Sequence, residues 1–201
     1  MLVIIDYNIG NLKSVENAFS RIGVETIVSR DHEIIRKANG IVLPGVGAFP
    51  VAMQHLKDYD LIDILNERKD AGIPILGICL GMQLLFELGT EVRETRGLGF
   101  LKGSVTLMQV DEKIPHMGWN ELVFNQEHPL LSHIHQKDYV YFVHSFMANA
   151  DDNELIAYCE YGNQNVPAIV GKDNVMGCQF HPEKSGEVGK KILLAFKEMI
   201  S

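Results

Sequence analysis

One stretch, Ile73 to Leu88, constrains this chain more than any other. Ile73 to Ile78 is a short apolar run entered from Gly72, and beyond it Leu80, Leu84, Leu85 and Leu88 recur at helical spacing. The pattern predicts a buried strand running into a helix. At the junction stands Gly77-Ile78-Cys79-Leu80-Gly81, a Gly-x-Cys-x-Gly form of the nucleophile elbow, in which flanking glycines permit a turn too tight for residues carrying Cβ. Such a turn lifts the Cys79 sulfur out of the sheet and sets it at the first turn of a helix. There the helix N-terminus and a neighbouring imidazolium can bring a thiol from about 8.5 down to about 3.5 to 7.5. The backbone N–H of Leu80, the residue after the nucleophile, becomes an oxyanion donor. A cysteine in apolar surroundings is more often a packing residue, so the elbow needs a base from elsewhere in the chain.

The last strand candidate ends in Gln179-Phe180-His181-Pro182-Glu183-Lys184. Pro182 turns His181 away from helical backbone, and residues two apart in an extended chain point to the same side. His181 and Glu183 are therefore expected to meet. A carboxylate on one imidazole nitrogen fixes the tautomer while the other faces the thiol, which is triad logic applied to cysteine. A second base candidate, His144 in Tyr141-Phe142-Val143-His144-Ser145-Phe146, has no neighbouring carboxylate to orient it and ranks behind as a substrate-side or packing histidine. For the second oxyanion donor, Pro44-Gly45-Val46-Gly47 leaves a strand at the same expected sheet edge, and Val46 or Gly47 is the candidate. Glycine on both sides of Val46 also permits peptide rotation, so that donor could exist in open and assembled forms.

The rest of the chain predicts an α/β fold: a mostly parallel central sheet flanked by helices, with antiparallel strands added in the C-terminal half. Leu2 to Ile5, Val24 to Val28 and Ile41 to Leu43 read as strands between helices that start near Leu12, Asp31, Val51 and Asp60. After Gly89 come short strand candidates at Val105 to Val110, Glu121 to Phe124, Tyr139 to Val143, Leu155 to Tyr161, Pro167 to Val170 and Val175 to Phe180. They read as hairpins added to the sheet. A closing helix from Ser185 buries Val188, Ile192, Phe196 and Met199. With no repeat or linker, residues 1–201 are expected to form one domain.

Several function classes drop out on charge and cysteine usage. A net charge of −8 without any basic run argues against nucleic acid. The apolar start ends at Asp6 without a positive flank, and no run reaches membrane length, so a cytoplasmic protein is expected. Three cysteines without C-x-x-C spacing suggest neither a disulfide framework nor a zinc site, and Cys159 and Cys178 read as packing residues inside strands. His133 and His135 have no third ligand at a suitable spacing, so no metal is expected.

Taken together, Gly77 to Gln83 and His181-Pro182-Glu183 resemble the class I (triad) glutamine amidotransferases. Further blocks, Asp6-Tyr7-Asn8, Gly10-Asn11-Leu12, Pro44 to Gly47, Pro115 to Asn120, Tyr141 to Ser145 and Gln179 to Ser185, are similar to the glutaminase subunits of imidazole glycerol phosphate synthases. The resemblance spans essentially the whole chain. It implies that Cys79 attacks the carboxamide of glutamine, that His181 and Glu183 complete the triad, and that Gly47, Gln83 and the backbone of Ser145 and Phe146 bind the substrate. It implies no cofactor and no metal. It further implies a heterodimer with a (β/α)₈-barrel cyclase subunit, with Asn11, Trp119, Tyr141 and Lys184 at the interface. The cyclase uses the ammonia to form imidazole glycerol phosphate and aminoimidazole carboxamide ribonucleotide in histidine biosynthesis. The rivals are an amidotransferase subunit of another synthase, which the Pro115 to Asn120 block disfavours, a stand-alone cysteine hydrolase of γ-glutamyl compounds, and a redox-sensing module using Cys79.

Overall fold

A computed structural model describes residues 1–200. Strands and helices alternate through the first half: β1 (Leu2–Ile5), α1 (Leu12–Arg21), β2 (Thr26–Ser29), α2 (His32–Arg36), β3 (Gly40–Leu43), α3 (Phe49–Asp58), α4 (Leu61–Asp70) and β4 (Ile75–Ile78). β1, β3 and β4 are buried over their full length, which is why they read as unbroken apolar runs. Side-chain caps open two of the helices: Asn11 accepts from the Ser14 N–H, and Asp31 from those of Glu33 and Ile34.

The helix expected after Cys79 is much shorter than its apolar spacing suggested. α5 spans only Leu80–Gln83, and the chain then turns into β5 (Phe86–Gly89). Every residue from Leu80 to Phe86 is buried, so the leucines mark full enclosure and not one face of a surface helix. β5 instead pairs antiparallel with β6 (Thr95–Arg96) and parallel with β7 (Leu101–Leu107).

Beyond β7 follow β8 (His116–Glu121), β9 (Val123–Phe124), β10 (Tyr139–His144), β11 (Phe146–Ala150), β12 (Leu155–Tyr161), β13 (Gln164–Lys172), β14 (Val175–Cys178) and α6 (Gly186–Met199). They do not all join one sheet. The central sheet runs β2-β1-β3-β4-β14-β13-β12-β9; its first five strands are parallel and its last three antiparallel to their neighbours. A second sheet, β11-β7-β5-β6, and a two-stranded ribbon, β10-β8, stand apart from it. The ribbon strand β8 carries few β-branched residues. Its strand character comes from alternation, His116 buried and Met117 and Trp119 exposed.

Alternating strand residues feed two cores, one on each face of the sheet. Leu2 and Ile4 pack with Phe19 of α1 and Phe196 of α6, while Val3 and Ile5 pack with Phe49, Leu56 and Ile64 of α3 and α4. Among the described residues no helix is long and apolar enough to cross a membrane. The topological step that matters most for the chemistry is the insertion of β14 beside β4. In their register Cys178 lies opposite Ile78, so the carboxyl ends of a strand from mid-chain and one from near the end of the chain leave the sheet side by side.

Candidate active site

Cys79 occupies the turn between β4 and α5 with φ 54 and ψ −111, a strained backbone for a residue with a side chain. Its N–H donates to the Cys178 carbonyl at 2.7 Å, tying the elbow to β14. The flanking glycines serve close approach, not positive φ: a Cβ on Gly77 would lie 2.7 Å from the Gly81 backbone, and one on Gly81 only 1.8 Å from the Leu43 carbonyl oxygen. The left-handed backbone falls on the cysteine itself. Leu80 is the first residue of α5, so its N–H precedes the intrahelical ladder and is available to a ligand.

His181 and Glu183 follow β14 and do meet, though not by strand alternation. Pro182 starts a 3-10 turn over Pro182–Lys184, which folds the carboxylate back so that Glu183 Oε1 and His181 Nδ1 are 2.7 Å apart. The His181 N–H donates to the Tyr141 carbonyl at 3.0 Å, and the Ser185 hydroxyl donates to the His181 carbonyl at 2.7 Å. With Nδ1 engaged by Glu183, the other ring nitrogen is left for Cys79, which lines the same cavity as His181. Burial alone would lower the imidazole. The favourable interactions with Cys79 and Glu183 outweigh it and hold His181 up at about 9. Cys159 and Cys178 are both fully buried, and burial pushes the Cys159 thiol up to about 12 and raises that of Cys178 further.

A cavity of about 330 Å³ opens over Cys79 and His181. Val46, Gly47, Leu80 and Gln83 line it, as do Ser145, Phe146 and the expected interface residue Lys184. The two glycines around Val46 are not equivalent. A Cβ on Gly45 would lie 2.7 Å from the Tyr7 hydroxyl and 2.9 Å from the Gly81 nitrogen, whereas Gly47, at φ 106, has nothing within 4 Å of that position. Tyr7, fully buried, donates its hydroxyl hydrogen bond to the Pro44 carbonyl. The freedom expected on both sides of Val46 is therefore confined to the Gly47 side.

Two residues missed in the sequence complete the wall. Gln179 is fully buried at the end of β14, where its Nε2 lies 3.8 Å from Cys79 Sγ and its Oε1 accepts from Gln83 Nε2 at 3.0 Å. The same Gln83 nitrogen donates to the Phe146 carbonyl at 3.2 Å, which leaves Gln83 Oε1 as its free acceptor. A lone amide inside the apolar run Val175 to Phe180 was the available signal for Gln179. Glu91 also lines the cavity, its carboxylate accepting from the Phe49 N–H at 2.8 Å, and it sits in a turn without periodicity that could have marked it. On the ladder side, Met108 N–H donates to the Ser145 carbonyl at 3.0 Å. Strand alternation then turns the N–H and C=O of Phe146 toward the free edge of β11.

The remaining expected residues lie around this site. His144 is no base: its Nδ1 is 2.7 Å from the Phe146 carbonyl and its Nε2 is 3.0 Å from His116. Trp119 and Tyr141 face each other across the β8-β10 ribbon with ring centroids 6.0 Å apart, Trp119 exposed and Tyr141 half-buried. Asn11 is exposed and borders a small cleft that also touches His181, Glu183 and Lys184. His133 contacts the Glu198 carboxylate, and His135 faces Asp138.

Compared with known proteins, residues 3–199 match the family model described as glutamine amidotransferase class-I. The chain belongs to the class I glutamine amidotransferases. Within that family it is 61% identical over 199 residues to the imidazole glycerol phosphate synthase subunit HisH of Lactococcus lactis, covering 99% of this chain and 98% of that protein. It is 50% identical over 200 residues to the HisH subunit of Bacillus cereus, covering 100% of this chain and 95% of that protein. Among solved structures, a glutamine amidotransferase crystal structure superposes with a TM-score of 0.78 at 18% identity, covering 98% of both chains. A chain of PurLQS from Thermotoga maritima superposes at 0.77 and 20% identity, covering 100% of this chain and 98% of that one. These two likenesses show the fold, a mixed central sheet with flanking helices.

Proposed function

We propose that residues 1–201 act as one amidotransferase domain, the glutaminase subunit of imidazole glycerol phosphate synthase, in the cytoplasm. It hydrolyses L-glutamine to glutamate and supplies ammonia to a (β/α)₈-barrel cyclase for histidine biosynthesis. The observation that carries this reading is the convergence of Cys79 and His181 on one cavity, with the His181 ring held by Glu183 at 2.7 Å. Three cysteines that remain free thiols agree with a reducing compartment.

The chemistry follows from those contacts. The Cys79 sulfur attacks the carboxamide carbon of glutamine. The resulting oxyanion is held by the Leu80 N–H and a second N–H from Val46 or Gly47. On collapse the carbon–nitrogen bond breaks, His181 gives its proton to the departing ammonia, and a γ-glutamyl thioester remains. His181, steadied by Glu183, then takes a proton from water, whose oxygen displaces the sulfur and releases glutamate. Glu91 supplies a negative charge to the substrate ammonium, while Gln83 Oε1 and the Phe146 N–H offer one acceptor and one donor to its other polar groups.

A partner follows from the product. Ammonia is mostly protonated in neutral water, and ammonium is not a nucleophile, so the two active sites must be sealed together. Trp119, Tyr141, Asn11 and Lys184 form the contact, with the exposed Trp119 as an aromatic anchor. Cyclase docking with nucleotide bound favours the assembled oxyanion hole, acting on the free Gly47 side of the loop.

Mass spectrometry after treatment with a glutamine-analogue electrophile tests the nucleophile: specific modification of Cys79 is expected, and labelling elsewhere overturns the assignment. Glutamate release is then compared between the isolated chain and its complex with the cyclase and cyclase ligand. A faster rate in the complex is expected, and equal rates remove the gating.

A further inference from the structure

Two buried imidazoles have no part in that chemistry. His116 opens β8 and His144 closes β10, opposite each other in the antiparallel ladder. The His116 ring lies stacked between Phe142, at 4.6 Å between centroids, and Tyr161, at 4.0 Å, so its plane is fixed from both sides.

The hydrogen bonds through the pair run in one direction only. A carbonyl can only accept, so His144 donates from Nδ1 to the Phe146 oxygen, at 2.7 Å. A neutral imidazole with its proton on Nδ1 has only a lone pair on Nε2. His116 must therefore donate from its own Nδ1 across the 3.0 Å that separates it from His144 Nε2. That leaves His116 Nε2 as an acceptor, and Asn120 Nδ2 lies 3.4 Å from it while also donating to the Glu160 carbonyl at 3.0 Å. Burial keeps both rings neutral near pH 7, pushing each imidazole down to about 4.

We infer that His116 is a positioning residue for the glutamine pocket: it holds His144 in the Nδ1–H tautomer, which in turn fixes the Phe146 carbonyl that anchors Gln83. Were His144 to carry its proton on Nε2, lone pair would face lone pair at the Phe146 oxygen and the peptide would swing away. Gln83, whose nitrogen bonds that same oxygen and Gln179, would lose one of its two anchors. The damage would fall on substrate binding more than on Cys79 and His181: His144 shares the cavity with them and feels the His181 charge, but no hydrogen bond joins the pair to either. Strand geometry gives the arrangement a second consequence. His116 alternates with the outward Met117 and Trp119, so one short strand carries the inward positioning ring and the proposed cyclase contact on opposite faces.

The kinetic readout rests on the glutaminase reading; the tautomer readout does not. Nitrogen-15 NMR of the histidines in the full wild-type chain should show Nδ1–H and an unprotonated Nε2 for both His116 and His144. A proton on Nε2 of either ring overturns the inference. In the complex with the cyclase, His116→Phe keeps a flat stacked ring without a donor, whereas His116→Asn keeps a donor close to the Nδ1 position. His116→Phe should raise KM for glutamine about tenfold, the worth of one buried hydrogen bond, with a smaller change in kcat. His116→Asn should bring KM back toward wild type. A KM for His116→Phe indistinguishable from wild type, or a rise in His116→Asn as large as in His116→Phe, overturns the positioning role. A wild-type complex that releases no glutamate would instead refute the proposed function, and the NMR result would still decide the tautomers.

Discussion

Two neighbouring strand ends, those of β4 and β3, border the cavity side by side and are built on opposite terms. At the end of β4 the elbow is locked: Gly81 is pressed against the Leu43 carbonyl, Gly77 against Gly81, and the Cys79 N–H is tied to β14. At the end of β3 the Pro44-Gly45 half of the loop is clamped under Tyr7, while Val46 is 46% exposed and Gly47 stands in open space. The proposed nucleophile and one proposed oxyanion donor are thus fixed before any ligand arrives, and the other proposed donor is not. A site built this way can keep its nucleophile in place continuously and withhold its full catalytic power until the second strand end is set.

The largest effect that would sharpen this contrast is at the sulfur. Cys79→Ala should abolish glutamate release without unfolding the chain; residual turnover would show that the locked end is not where reaction occurs. Glu183→Gln should cost up to about 10⁴-fold in turnover if the carboxylate acts as in serine triads, measured as glutamate release by the complex. Alanine at the two glycines then separates the strand ends by stability. Gly81→Ala forces a Cβ against the Leu43 carbonyl and should cost about 4 kcal/mol in denaturant unfolding or prevent folding, because backbone must move. Gly47→Ala meets no atom and should cost only about 1 to 2 kcal/mol, for its left-handed φ alone. Equal losses at the two positions would break the comparison.

The smallest effect is on titration. The His181 imidazole is raised in the folded chain, so its contribution to stability is fully present below its ordinary value of 6.5 and is lost as pH rises through about 9. Stability should therefore fall across that window. Both Cys79→Ala and Glu183→Gln remove a contact that raises the imidazole, and NMR titration should show His181 moving downward in each.

The elbow, the His181–Glu183 pair and the alternation of the first half were legible because each depends on short-range order. An apolar run leading into Gly77-Ile78-Cys79-Leu80-Gly81 is legible over a few residues, and Pro182 brings His181 and Glu183 together within one turn. Other features misled. The leucines after Cys79 looked like a helical face because periodicity does not distinguish an amphipathic helix from a segment enclosed on all sides. β8 escaped notice since its residues have little intrinsic strand preference and its pairing with β10 lies far along the chain. Glu91 and Gln179 stood outside the expected site for a related reason: a polar side chain acquires its role from what faces it.

By itself the amino-acid order determined which groups could react, since nucleophile, base and orienting acid are matters of residue type and local geometry. Only tertiary structure decided that β14 lies beside β4, which brings Cys79 and His181 into one cavity from positions about a hundred residues apart. It also decided which glycine beside Val46 is free, and that two histidines distant in sequence share a single proton between facing nitrogens. Those outcomes depend on long-range packing and on the burial that sets each group's charge, and neither is encoded within the reach of a single motif.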